Sequence, residues 1–349
     1  NIQFLLILAC IMKAVDTHAD LLRQSASDVG NDHRLGADEA PPAIISIFLG
    51  EQLEDVVNQL VETGVAETCI EGGVMKTGVS TLPDFVKDAT DRNRTSPFAF
   101  TGNKFEFRMV GSQDSVAQSN VVLNTIVAEA FSEACEVLEQ ADDFETAVQN
   151  LIKEYAAEHE RIIFNGDGYS NEWVEEAAER GLPNLKCMVD AIPAYIAPDS
   201  IEVFEKFNVF NRNELESRVE IEYEIYAKTL NIEARAMIDI ATKQIIPAVI
   251  RYATVLANSY NAVKMACPDI PVNVQAELLK ETSMLLAETK AALHKLQEVT
   301  EIAFKMERGE RQAHYYKDEV CVAMQALRSP VDKLEMLVDK EMWPMPSYG

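Results

Sequence analysis

The sequence predicts an α+β protein in which antiparallel strands with helices are followed by a long helical bundle. Three observations predict it. "PFAFTGNKFEFR" (97–108) alternates aromatic and other residues with a period of two, the spacing of a strand. From about Ser115 to Tyr226 apolar residues recur at helical spacing. From about Ala227 to the end, long helical runs have few breaks. The expected domains are residues 1–225 and 226–349.

The chain opens on "NIQFLLILACIM", which looks like a leader or a membrane span. The apolar run ends at Lys13, and Asp16, His18 and Asp20 follow, so it is too short to span. It also lacks a basic leading region and a small-residue cleavage site. A buried helix from Ile2 to about Ser25 is expected instead. Because the chain starts without Met and in mid-helix, it is expected to be a piece of a longer protein.

A loop rich in Gly, Asp and Pro, "ASDVGNDHRLGADEAPPA" (26–43), comes next, and then a helix at about Glu51–Glu62. In the helical stretch beyond Ser115, Asp143 is expected to cap one helix and Ser170 or Asn171 another, the latter ending at Gly-Leu-Pro. In the tail, Pro247 should kink a helix that runs to about Ala266. "CPDIPVN" breaks the pattern, and helices at about 273–307 and 310–340 are separated near Gly309.

With 349 residues, 48% of them hydrophobic, the chain can bury a sizeable core. A net charge of −26 opposes binding to nucleic acid or an anionic membrane, both of which need a positive footprint. The six cysteines are widely spaced and form no CxxC, which predicts buried thiols in a reducing compartment rather than a zinc or disulfide framework.

Positive charge is concentrated where the strands are expected. If "TGN" turns a hairpin, with Gly102 supplying positive φ, Phe105 and Phe107 share one face. Lys104, Glu106 and Arg108 share the other. That charged face reads in two ways. It is a solvated surface with weak cross-strand ion pairs, or it is a site for a divalent metal and an anion together. In the second reading Glu106 supplies an oxygen ligand, and Arg94, Lys104 and Arg108 hold phosphate or carboxylate groups. Arg34 and Glu39 stand in the Gly/Pro-bounded loop, a position that favours function over packing. His33 beside them has no evident partner.

These two segments, "HRLGADEAPP" and "DRNRTSPFAFTGNKFEFR", resemble the C-terminal half of the catalytic domain of glutamine synthetase. Their wording is most similar to the type III branch, whose subunits carry extra helical segments. The resemblance weakens toward residue 225, and 226–349 corresponds to a C-terminal extension. It implies ATP-dependent ligation of ammonia to glutamate through γ-glutamyl phosphate. Arg34 and Arg108 would bind glutamate, with Arg34 near the γ-carboxyl. Glu39 would take a proton from ammonium, and Arg94 and Lys104 would hold ATP phosphates. Glu106 would ligate Mg²⁺ or Mn²⁺. It further implies a cytoplasmic homo-oligomer of stacked rings, a dodecamer. The alternatives are a related glutamate–amine ligase and a non-catalytic assembly or regulatory protein.

Two departures stand out. Position 99 is Ala, where the commonest branches place a second arginine, and Lys104 replaces a frequent Arg. The family's remaining metal ligands precede the residues of this chain, so the isolated chain is expected to be inactive.

Overall fold

The first helix is apolar over most of its length, which favours packing its C-terminal half against other elements. The computed structural model describes residues 2–37, 40–63, 66, 74–75, 85–86 and 95–346. In it, α1 (Ile2–Thr17) buries Leu8, Ala9, Cys10, Met12, Ala14, Val15 and Asp16. The chain divides into two compact units, 1–219 and 220–349.

In the first unit α1 packs against α5 (Ala117–Glu139) and α6 (Phe144–His159), and α4 (Glu51–Thr63) also packs on α6. The helix expected to run to Ser25 instead breaks at His18, and α2 (Ala19–Gln24) follows. His18 has left helical geometry, and its Nε2 lies 2.6 Å from Glu129 Oε2 on α5. A tertiary bond has overridden a locally continuous pattern.

Asp16 is a second tertiary tie. It is buried at the end of α1 and accepts from His159 Nδ1 at 2.8 Å and from Arg161 Nε at 2.9 Å. These bonds fasten the C-terminus of α6 to α1. The capping expectations hold: the Asp143 carboxylate accepts from Thr146 N, and Ser170 Oγ accepts from Trp173 N at the start of α7 (Asn171–Glu179).

A small mixed sheet joins β1 (Ile47–Phe48), β4 (Phe98–Phe100) and β5 (Phe105–Phe107) in the order β1-β4-β5. β4 is parallel to β1 and antiparallel to β5. Strands β2 (Val74–Met75) and β3 (Phe85–Val86) form a separate antiparallel pair.

The second unit is helical. A π-helical turn at Ala241–Ile245 separates α10 (Arg212–Ile240, which runs across the division at 219) from α11 (Ile246–Ala266). The turn stands immediately before the helix carrying Pro247. Residues 267–272 break the pattern, and α12 (Asn273–Lys305) packs against both α11 and α14 (Cys321–Leu337). Gly309, at φ 123°, separates α12 from α13 (Glu310–Tyr315), and a second π-helical turn covers Tyr316–Val320. Ile245, Val249, Leu285, Leu334, Val338 and Trp343 form a core of this unit.

The thiols depart from expectation. Cys10 is buried, and burial pushes it up to about 11. Cys135 is exposed, while Cys187, Cys267 and Cys321 are half-buried. Cys69 lies outside the described residues. No helix among the described residues is long and apolar enough to cross a membrane.

Removing one partner from a buried ionic network leaves the others unpaired, at a cost of about 3 kcal/mol. Asp16→Ala is therefore expected to lower the unfolding free energy of residues 1–349 by about that amount, measured from guanidinium denaturation. A loss below about 1 kcal/mol would mean that His159 and Arg161 find other partners.

Candidate functional site

The hairpin is anchored by its apolar face. Phe98 stacks on Phe105 at 5.2 Å between ring centroids and lies 6.2 Å from Phe107, and Phe100 contacts both Phe105 (5.3 Å) and Phe4 of α1 (5.7 Å). Aromatic pairs at these separations add stabilisation beyond the area they bury. Gly102 at φ 93° makes the turn, and Thr101 N donates to Lys104 O at 2.9 Å. Lys104 thus closes the loop, and the strand begins one residue later. Pro97 accepts from Arg108 N at 2.8 Å, completing the far end of the hairpin.

With the phenylalanines packed on one face, the other face carries the charges. Glu106 stands opposite Ala99. Its Oε2 accepts from Arg108 Nη2 at 2.9 Å and from Arg108 Nε at 3.2 Å, and its Oε1 lies 3.2 Å from Lys104 Nζ. The Arg108 guanidinium, and then the Lys104 ammonium, hold the Glu106 carboxyl below the usual carboxylate range. Exposure runs from 65% for the Lys104 side chain through 37% for Glu106 to 27% for Arg108, so the row is reachable from solvent.

Arg34 reaches the same hairpin from the Gly/Pro loop. Short helix α3 (Val29–Asp32) is capped by Asp28, which accepts from Gly30 N at 2.7 Å. Arg34 follows it. Its guanidinium donates to Arg108 O at 3.3 Å, and to Met109 O and Asn31 Oδ1 at 3.4 Å each. Beyond Arg34, a bridge between Leu35 and Ala40 and a bond from Gly36 N to Pro41 O (3.0 Å) close the base of the loop. Gly36 adopts φ 75° there. Glu39 belongs to this loop but lies outside the described residues, as does Arg94. Thr95, next to Arg94, is held from behind: Gly168 N donates to Thr95 Oγ1 at 2.9 Å. A Cβ on Gly168 would come within 2.7 Å of Thr95 O, so only glycine permits this approach.

Of the six residues singled out from the sequence, the structure brings Arg34, Lys104, Glu106 and Arg108 together at one hairpin. Residues that sequence reasoning missed support them. Asn31 is buried and bonded to both the loop and the hairpin exit. Asp114 sits near Arg34, its carboxyl raised by burial and by the nearby Asp28. Nothing in the local pattern of "VGNDH" distinguishes Asn31 from an ordinary turn asparagine.

The donor set can be tested against a divalent metal. Among the described residues no three His, Cys, Asp or Glu side chains come together, so the hairpin offers one carboxylate, Glu106, between two cations. A single oxygen flanked by cations suits a small hard metal that brings its own anionic oxygens, in the way Mg²⁺ binds through one or two carboxylates plus phosphates. It does not suit a self-contained protein cage.

Residues 147–264 match the glutamine synthetase C-terminal domain. Along its whole length the chain is 38% identical to the type-3 glutamine synthetase of Dictyostelium discoideum over 360 residues. It is 36% identical to a glutamine synthetase of Bacteroides fragilis over 358, and 39% identical to one of Butyrivibrio fibrisolvens over 360. These alignments take in 48%, 49% and 50% of the respective relatives, so the chain spans about half the length of the curated relatives it matches. Over its whole length the chain is thus similar to about half of each of these glutamine synthetases, and within it residues 147–264 match that family's C-terminal domain.

Proposed function

We propose that this chain supplies the cationic side of the active site of a glutamine synthetase of the type III branch, a cytoplasmic homo-oligomer of stacked rings. The reaction joins ammonia to L-glutamate. ATP phosphorylates the γ-carboxylate, and ammonia displaces phosphate from the resulting γ-glutamyl phosphate, giving glutamine, ADP and phosphate. The observation that carries the proposal is the convergence of Arg34 and the row Lys104–Glu106–Arg108 on one hairpin.

Phosphoryl transfer depends on positioning and charge neutralisation more than on covalent chemistry by the protein. Lys104 offers a mobile point charge suited to phosphate, and Arg94 would add a planar fork. Arg108 and Arg34 would grip glutamate, Arg34 at the end where negative charge accumulates. Two guanidiniums on one small dicarboxylate fix its orientation as well as its affinity. Glu39 would accept the proton that ammonium must lose to become a nucleophile. Glu106, the least replaceable member of the row in this scheme because it is the sole carboxylate there among the described residues, would ligate Mg²⁺ or Mn²⁺. When bound, the metal neutralises charge on the polyphosphate. The helical region 226–349 would be the branch's extension.

In the full-length protein, Glu106→Ala is expected to reduce kcat by about 10³-fold, with the assembly unchanged by size-exclusion chromatography. Normal turnover in that variant would refute the metal role. Residues 1–349 alone should give no ATP-dependent γ-glutamyl hydroxamate, and measurable product would refute the claim that the site needs more than this chain.

The depressed Glu106 carboxyl sets a pH expectation. A lowered folded value means that its ion-paired form, present above the ordinary carboxylate range, persists through that range and is lost only as pH falls through the depressed value. NMR titration of Glu106 should place its midpoint below that of a free glutamate, and Arg108→Gln should move the midpoint upward.

A further inference from the structure

We infer that Asn31 is a positioning residue that sets Arg34 and Arg108 in register by tying the arginine loop to the exit of β5. The inference rests on the proposed roles of those two arginines in binding glutamate. Asn31 is 3% exposed and cannot itself touch a substrate. Its Nδ2 donates to Ala26 O at 2.7 Å and to Met109 O at 2.9 Å, while its Oδ1 accepts from Arg34 Nη1 at 3.4 Å. Its main-chain carbonyl accepts from both Arg34 N and Leu35 N at 3.0 Å. One buried side chain therefore joins the segment entering α3, the residue following Arg108, and the Arg34 guanidinium.

The chemistry selects the amide. Two carbonyl oxygens need two N–H donors from one point, and the guanidinium needs an acceptor beside them. Aspartate would set a carboxylate against two carbonyls, serine could donate to only one of them, and alanine to neither. The Met109 carbonyl is the common element, because it also accepts from Arg34 Nη1.

Among the described residues the Arg34 guanidinium donates to neutral acceptors, at 3.3–3.4 Å. Among the described residues no carboxylate lies within ion-pair distance of it. These long, uncharged bonds hold it in place while leaving it available to a stronger, anionic partner. Asn31 would thus keep the guanidinium aimed without neutralising it.

The test uses the full-length protein with Asn31→Ala and, as the milder change, Asn31→Ser. Two readouts are taken. The first is hydrogen exchange of peptides covering 26–37 and 105–110. Both peptides should lose protection together, while peptides from α5 and α6 stay as in the parent. This readout needs no activity, so it stands even if the protein proves not to make glutamine. The second is kinetic: the KM for glutamate should rise by about tenfold or more, with the KM for ATP within about twofold of the parent. Combining Asn31→Ala with Arg34→Lys should cost less than the product of the single losses, because one acts through the other. Loss of protection in one peptide alone, or equal rises in both KM values, would overturn the inference. If Asn31→Ala does not fold, Asn31→Ser decides by the same criteria. Wild-type full-length protein without synthetase activity would instead refute the function proposed above and leave the exchange result to judge Asn31.

Discussion

The phenylalanine cluster of the β4–β5 hairpin, joined to α1 through Phe100 and Phe4, is the constraint on which the site depends. A strand has only two faces, and once Phe98, Phe100, Phe105 and Phe107 are committed to one another, with Phe100 also on Phe4, the charged residues between them have one direction left. A slip of one residue would put Glu106 among the rings and the rings in water. The packing energy of the aromatic cluster therefore also fixes which side chains meet at the surface.

Around that hairpin, buried and half-buried polar side chains do the fastening. Asp16 locks α6 to α1, Asn31 locks the arginine loop to the hairpin exit, and Asn165 Oδ1 accepts from Leu49 N and Gly50 N at 2.9 Å each to hold the end of β1. Asp32 accepts from Met188 N at 2.8 Å, and burial pushes its carboxyl up to about 7. Each such group is costly to bury unpaired, and each is paired with a segment distant in sequence. The interior thus specifies loop positions by hydrogen bonds whose directions admit few alternatives.

The elements whose cause is local were legible in the sequence. Strand alternation sorted Lys104, Glu106 and Arg108 from the phenylalanines, and the caps at Asp143 and Ser170 followed from side-chain chemistry. The breaks at 267–272 and Gly309 followed from proline and glycine. What escaped depends on partners far along the chain. The helix break at His18 is tied to Glu129, 111 residues away, and Asn31 gains its meaning from Met109, 78 residues away. Thiol exposure was misjudged for the same reason, since Cys135 lies on the open side of a helix whose other side is buried.

The Glu106 carboxylate between Arg108 and Lys104 has a thermodynamic consequence. Within the hairpin one carboxylate serves both cations. A cation arriving alone at Glu106 must compete with two resident cations, and an anion arriving alone at Lys104 or Arg108 must compete with a resident carboxylate. A cation and an anion arriving together replace the Glu106 ion pairs with external ones in a single event. The hairpin should therefore favour a complexed salt over either of its ions, so that cation and anion each raise the other's affinity by the same factor.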